Sequence, residues 1–262
     1  MLLSQLFWAV VWARRYDADQ LPRVAQRMHD ILVGGLAASP PAVGVPEDWP
    51  AIECGDPSAH RQEAFLRVAT GLINERGYRG ASVEKLAAEF QVTKGFFYHH
   101  NATKDDLIVQ CFERTFRIMR QAQDVACEQS STGLGRLWGV TAALVRFQRS
   151  DDAPLLRTSA LAAVPAALRT QMTGRMDNIT DRFSELLSDG MIEGDIRACD
   201  ATIAAQMVTG MINAVAELHH WIPGADGDTT VDLYARPLFT GIFFGRKNVE
   251  RPSVTGRADI AP

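Results

Sequence analysis

The chain has 262 residues, 47% of them hydrophobic, which is enough apolar material to bury a sizeable core in one large or two small domains and too much for a disordered chain. Its formal net charge of -4 excludes a generally basic nucleic-acid coat, so any affinity for DNA must come from a local patch.

The N-terminus opens on an apolar run from Leu2 to Trp12, followed by Arg14 and Arg15. A secretory signal carries its positive charge before the apolar region and a small-residue cleavage site after it; this run has neither, and it is too short to span a bilayer. The expected setting is the reducing cytoplasm. Ala9-Val10, Tyr16 and Ile31-Leu32 to Gly35-Leu36 resemble Ala214-Val215, Trp221 and Pro237-Leu238 to Gly241-Ile242 at a nearly constant offset. Both ends of the chain therefore read as a helix, a loop and a second apolar helix. Residues 39–57 contain Pro40, Pro41, Pro46, Pro50 and Pro57 with Gly44 and Gly55, a linker that no helix can cross.

A helical domain is expected over 58–107. Its first helix, Arg61 to Arg76, places Ala64, Phe65, Val68, Ala69, Leu72 and Ile73 on one face and stops at Gly77. Ser82 is the hydroxyl cap of a short helix to Phe90, whose Val83, Leu86, Ala87 and Phe90 share a buried face. Gln91 and Val92 make a turn. Thr93 then caps a second helix, Lys94 to His100, so that 82–100 reads as a helix-turn-helix. Lys94 weakens the helix in its first turn, a placement that makes sense opposite an anion held by the free amides there. From Arg61 to Asp106 seven basic residues face six acidic ones, so the local patch is weak and strong binding calls for two copies in a dimer.

Thr103 caps a long helix from Lys104 to about Cys127, with Leu107, Ile108, Cys111, Phe112, Thr115, Ile118, Met119 and Ala122 as its apolar stripe. After the break at Ser130 to Gly133, helices are expected at Leu134 to Arg149, Pro154 to Ala163 and Pro165 to Leu187, with Gly190 and Gly194 in a short link. Asp200 caps a helix to about Trp221, and Thr229 or Thr230 opens a last one to Phe244. No strand pattern appears, so the fold class is all-α. Met207, Met211, Ile212, Val215 and Leu218, with Leu233, Leu238, Ile242 and Phe243, are apolar faces expected to pair across a two-fold axis as a homodimer interface. Residues 108–245 are expected to form the regulatory and dimerisation domain, and 246–262, which lack periodicity, a mobile tail.

The segment Thr93-Lys94-Gly95-Phe96-Phe97-Tyr98-His99-His100, followed by Thr103-Lys104-Asp105-Asp106-Leu107, resembles the recognition helix and next helix start of the tetracycline-repressor (TetR) family. The likeness runs back through Ser82 to Ala87 and Gly77-Tyr78 to Arg61. It implies that Lys94, Tyr98 and Lys104 contact phosphate, that Thr93, Gly95, Phe96 and His99 face the groove, and that Ser82 stands with them at the motif's first cap. Phe96 offers a base edge only apolar contact, of the kind a thymine methyl accepts; packing inside the domain is its other reading. Two positions depart from the family pattern. Gln91 stands where a turn glycine is usual, and Asn101 where a buried Phe is usual.

The resemblance further implies a cavity for a small apolar or amphipathic effector between the helices from Leu134 to Leu187. Trp138, Phe147, Met172, Met176 and Phe183 are candidate lining residues, with core packing as the alternative; Arg146, Gln148, Arg157, Asn178 and His219 could orient a polar group. Because the family's last two helices build its dimer interface, Met1 to Ala38 resembles the tail of an upstream family copy, which reads either as part of a tandem arrangement or as an over-extended start. The implied function is a ligand-responsive regulator, a repressor that binds double-stranded operator DNA as a homodimer and is released when a ligand tilts the long helix at Lys104. The alternative is a helical interaction module that has lost DNA binding. No Gly-rich phosphate loop, Gly-x-Ser-x-Gly elbow or His-Glu-x-x-His pair suggests an enzyme. No metal or cofactor is expected either: the four cysteines Cys54, Cys111, Cys127 and Cys199 form no Cys-x-x-Cys pair, and the neighbours in His99-His100 and His219-His220 diverge by about 100° on a helix.

Overall fold

The computed structural model describes residues 2–39, 60–89, 103–157, 160–161, 164–218 and 227–243. Among them the architecture is all helical, with one isolated bridge between Ala37 and Ile196. The helices are α1 (Leu2–Trp12), α2 (Leu21–Gly34), α3 (His60–Gly80), α4 (Val83–Glu89), α5 (Lys104–Gln129), α6 (Gly133–Phe147), α7 (Ala166–Glu193), α8 (Ala201–Leu218), α9 (Gly227–Tyr234) and the short α10 (Arg236–Thr240).

Local chemistry sets most boundaries. Gly77, at φ 69°, interrupts α3 where the glycine stop was expected. Thr103 and Asp106 form a reciprocal capping box at the start of α5, each satisfying the other's backbone amide. Asp200 accepts from the Ile203 amide at 3.1 Å and so caps α8. The start of α6 fits against the end of α7, where a Cβ on Gly133 would lie 2.3 Å from the Gly190 nitrogen.

Three sequence expectations need correction. No α-helix fills the described residues of Pro154 to Ala163: the Arg157 amide, which would make the first helical bond back to Ala153, donates instead to Asn74 at 2.9 Å, the Leu155 and Leu156 amides are held by Gln148 and Thr115 at 2.9 Å each, and Ala160 and Leu161 lie in a 3-10 turn. The helix that opens at Ala166 runs past Leu187 and through Gly190 to end at Gly194, φ 85°, because Gly190 is needed for close contact with Gly133 rather than for a turn. The last expected helix is split into α9 and α10, with Pro237 at the first turn of α10 and Gly241, φ 87°, as its stop.

The core lies among α5, α6, α7 and α8, where Leu107, Phe112, Ile118, Leu137, Leu144, Met172, Phe183 and Met207 are all buried. Helices α1 and α2 pack on the outside of α8, and α2 also meets α10. Helix α3 packs on α5 and carries α4.

Candidate nucleic-acid interface and ligand cavity

The Ser82 hydroxyl accepts from the Lys85 amide at 3.3 Å, the side-chain cap that its position called for, and the Lys85 ammonium bonds the Gly80 carbonyl at 3.2 Å. Ala87 is buried, as close helix packing requires. Thr93, Lys94, Gly95, Phe96, Tyr98 and His99 lie outside the described residues. Lys104 does not: its ammonium sits 4.4 Å from the centre of the Tyr78 ring, while the Tyr78 hydroxyl donates to Asp105. Burial lowers the Lys104 pKa, opposed by the Asp105 charge. Burial and then the Asp105 bond push the Tyr78 phenol up to about 12. Tyr78 thus fixes the first turn of α5 against the end of α3 and aims Lys104 from that joint.

The same α3 is tied to the core by a polar clamp. Arg114 of α5 is almost wholly buried; its guanidinium pairs with Glu63 of α3 and donates to the carbonyls of Pro154, at 2.8 Å, and Asp152, at 2.5 Å. Phe147 lies beneath it, with the ring centre 5.8 Å away. Along α3, Arg67 donates to the Asp151 carbonyl at 2.6 Å, and Asn74 donates to Leu155 and accepts from Arg157. Arg67 and Asn74 of α3 therefore bond the 151–157 segment that follows α6 directly, and Glu63 is tied to it through Arg114. Sequence reasoning missed this clamp: Arg114 sits within an apolar stripe, and an arginine beside apolar residues reads as solvated until its partners are known.

A cavity of about 610 Å³ opens between α1, α7 and α8. Trp8, Trp12, Leu161 and Met176 give it apolar walls, and Arg14, Arg15, Arg169 and Asp177 also line it. Trp8 and Gln206, which line it, each carry a buried polar atom with no partner, the indole Nε1 and the amide Oε1. Of the five residues expected to line a pocket, Met176 does so. Trp138 instead packs edge-on against Phe239 at 4.9 Å, Phe147 supports Arg114, and Met172 and Phe183 are fully buried. Gln148 and Arg157 serve the 151–157 segment, Asn178 borders a groove beside Arg175 and Asp124 on the α5–α7 surface, and His219 is outside the described residues. Spacing along the chain could not reveal Trp8 and Trp12 as walls, although two tryptophans four residues apart on an apolar helix did mark one face.

The expected interface residues Met207, Met211, Val215 and Leu238 are buried within the one chain, and Ile242 is half-buried; the side chain of Leu218 is outside the described set. Among the described residues no helix is long and apolar enough to cross a membrane, and no group of three or more His, Cys, Asp or Glu side chains could hold a metal ion.

The sequence pattern described as "Bacterial regulatory proteins, tetR family" matches residues 65–111, and that of the "Tetracyclin repressor-like, C-terminal domain" matches 130–235. The chain belongs to the tetracycline-repressor family. It is a family of helix-turn-helix DNA-binding regulators, with a helical domain after the DNA-binding one. The chain is similar to the transposon Tn10 TetC protein of Escherichia coli, 21% identical over 60% of this chain and 82% of that one. Among solved structures it resembles AibR in complex with isovaleryl coenzyme A and operator DNA, with TM-score 0.59 and 21% identity over 69% of this chain and 98% of that one. It also resembles SCO3833 of Streptomyces coelicolor A3, with TM-score 0.55 and 28% identity over 68% and 90%. This TetR-family chain carries α1 and α2 ahead of the matched residues.

Proposed function

We propose that this TetR-family regulator is a repressor that reads operator DNA through residues 82–100 and is released by an anionic, amphipathic small molecule. Lys94, Tyr98 and Lys104 hold phosphates, and Thr93, Gly95, Phe96 and His99 face the bases. Two copies of the motif about 34–36 Å apart, one turn of DNA, supply the affinity that one weakly charged motif lacks. Two chains on one operator provide them. A homodimer joined through α8 and α10 would require α1 and α2 to leave that face.

The observation that carries the reading is the clamp of Arg114, Arg67 and Asn74, because it makes α3 follow any movement of the 151–157 segment. Leu161, on the same connection between α6 and α7, is a wall of the cavity. A ligand there releases DNA only to the extent that it binds the DNA-free arrangement more tightly. Apolar walls, the unpartnered polar atoms of Trp8 and Gln206 and the arginines Arg14, Arg15 and Arg169 of the lining suit an acyl chain with a polar link and an anionic head. The likeness to AibR, described with isovaleryl coenzyme A and operator DNA, points to the same class. The test is fluorescence anisotropy of an operator fragment titrated with short and medium acyl-coenzyme A thioesters. Release by an acyl thioester, lost in Gln206→Leu and Trp8→Phe, is the expected result; DNA affinity indifferent to every thioester would discard the ligand class.

A further inference from the structure

Residues 2–38 precede both family matches, yet Trp8, Trp12, Val24, Ile31 and Leu36 join the buried core. Gln5, Trp8 and Trp12 of α1 are buried on α8, and the Gln5 amide donates to the Met207 carbonyl at 2.8 Å.

The contact obeys a rule. The shift in numbering that carries Leu21 to Gly227 carries Gly34 to Thr240, so α2 corresponds to α9, Ala235 and α10 together. Both units end on a glycine of positive φ, Gly35 at 73° and Gly241 at 87°. Each glycine amide donates four residues back, to Ile31 at 2.8 Å and to Pro237 at 3.0 Å.

Between the units the bonds are exchanged. The Leu36 amide donates to the Leu238 carbonyl at 3.1 Å, and the Ile242 amide donates to the Leu32 carbonyl at 2.9 Å; Leu36 corresponds to Ile242, and Leu32 to Leu238. A Cβ on Gly35 would lie 2.4 Å from the Phe239 oxygen, and one on Gly241 2.3 Å from the Val33 oxygen, Val33 and Phe239 being corresponding residues. Residue i on j together with j on i is what a two-fold axis imposes. At α1 and α8 the shift is one residue shorter, carrying Ala9 to Ala214 and Gln5 to Gly210. Gln5 Oε1 lies 3.2 Å from the Cβ position of its own counterpart Gly210, which puts the pair near the axis.

We propose that residues 2–38 are a built-in second subunit. They take, within one chain, the place that α8, α9 and α10 of a second copy would take in a two-fold dimer. The face bearing Met207, Met211 and Leu238 is thereby closed to self-association, and the full chain without DNA is a monomer.

Sedimentation equilibrium of the full chain without DNA tests this across micromolar concentrations. One chain's mass at every concentration is expected; a dimer, whether swapped or face to face, overturns the proposal. A second arm uses Trp8→Glu/Trp12→Glu, which leaves α8 unaltered but drives α1 into water. The expected outcome is a twofold rise in mass with helicity retained apart from α1, while a folded variant that stays monomeric overturns it. If that variant does not fold, the mass of the unmodified chain decides alone.

Discussion

Two joints hold this molecule together, and they are made of opposite materials. Where α2 meets α10, the chain closes with glycines, exchanged backbone bonds and apolar side chains. Where α3 meets the 151–157 segment, it closes with a buried guanidinium, an amide side chain and carbonyl acceptors. A joint of glycine and backbone has one geometry or none, since no side chain can shift to absorb a change. A joint of long polar side chains can re-pair. The rigid joint suits a permanent scaffold, and the polar one suits the movement proposed here for release of DNA.

The scaffold joint should break hardest. Gly35→Val forces a branched residue to a positive φ and its Cβ onto the Phe239 carbonyl, so urea unfolding should show a loss of about 3 kcal/mol or more. Gly241→Val, related by the same axis, should cost a similar amount. A loss confined to one of the two would show that the two glycines do not share one rigid joint.

The polar joint should yield less in stability and more in regulation. Arg114→Met strands Glu63 and the Asp152 and Pro154 carbonyls at a cost of about 3 kcal/mol, held to the low end because Arg117 also pairs with Glu63. The same variant should bind DNA with an affinity that effector no longer changes. Full ligand response in this variant, read by anisotropy, would show that the signal travels elsewhere.

Between the joints, Cys111 sharpens the picture through pH. Burial pushes its thiol up from 9.0 to about 12, so the folded state favours the neutral form. That stability is whole below pH 9.0 and is lost as pH rises toward 12. Cys111→Val should flatten this alkaline limb in pH-dependent unfolding, and native-state alkylation should reach exposed Cys127 well before Cys111. The smallest effect is expected from Lys104→Ala, which should lower the salt slope of DNA binding by about one.

Much of this was legible in the residues, for reasons that are local. Ser82, Thr103 and Asp200 announce helix starts because a short polar side chain can reach an amide in its own first turn. Gly77 announces a stop because few other residues accept its φ. The run from Pro154 misleads because the Arg157 amide that would open its helical ladder is claimed by Asn74, far away in sequence. The cavity is harder still. Trp138, Phe147, Met172 and Phe183 have the composition of a pocket and the burial of a core, and the tryptophans that do line it arrive from α1. The likeness of the two chain ends was visible in Gly35 and Gly241; that they meet each other was not, because similarity carries no information about contact.

Residues 82–100 are proposed to read DNA. The direct measurement is a gel shift of the purified chain against DNA flanking its own gene, at low and moderate salt, with Tyr98→Ala alongside. The expected result is a shift with the unmodified chain that weakens steeply with salt and is lost in Tyr98→Ala. No shift at low salt, or one indifferent to both salt and Tyr98, would contradict it.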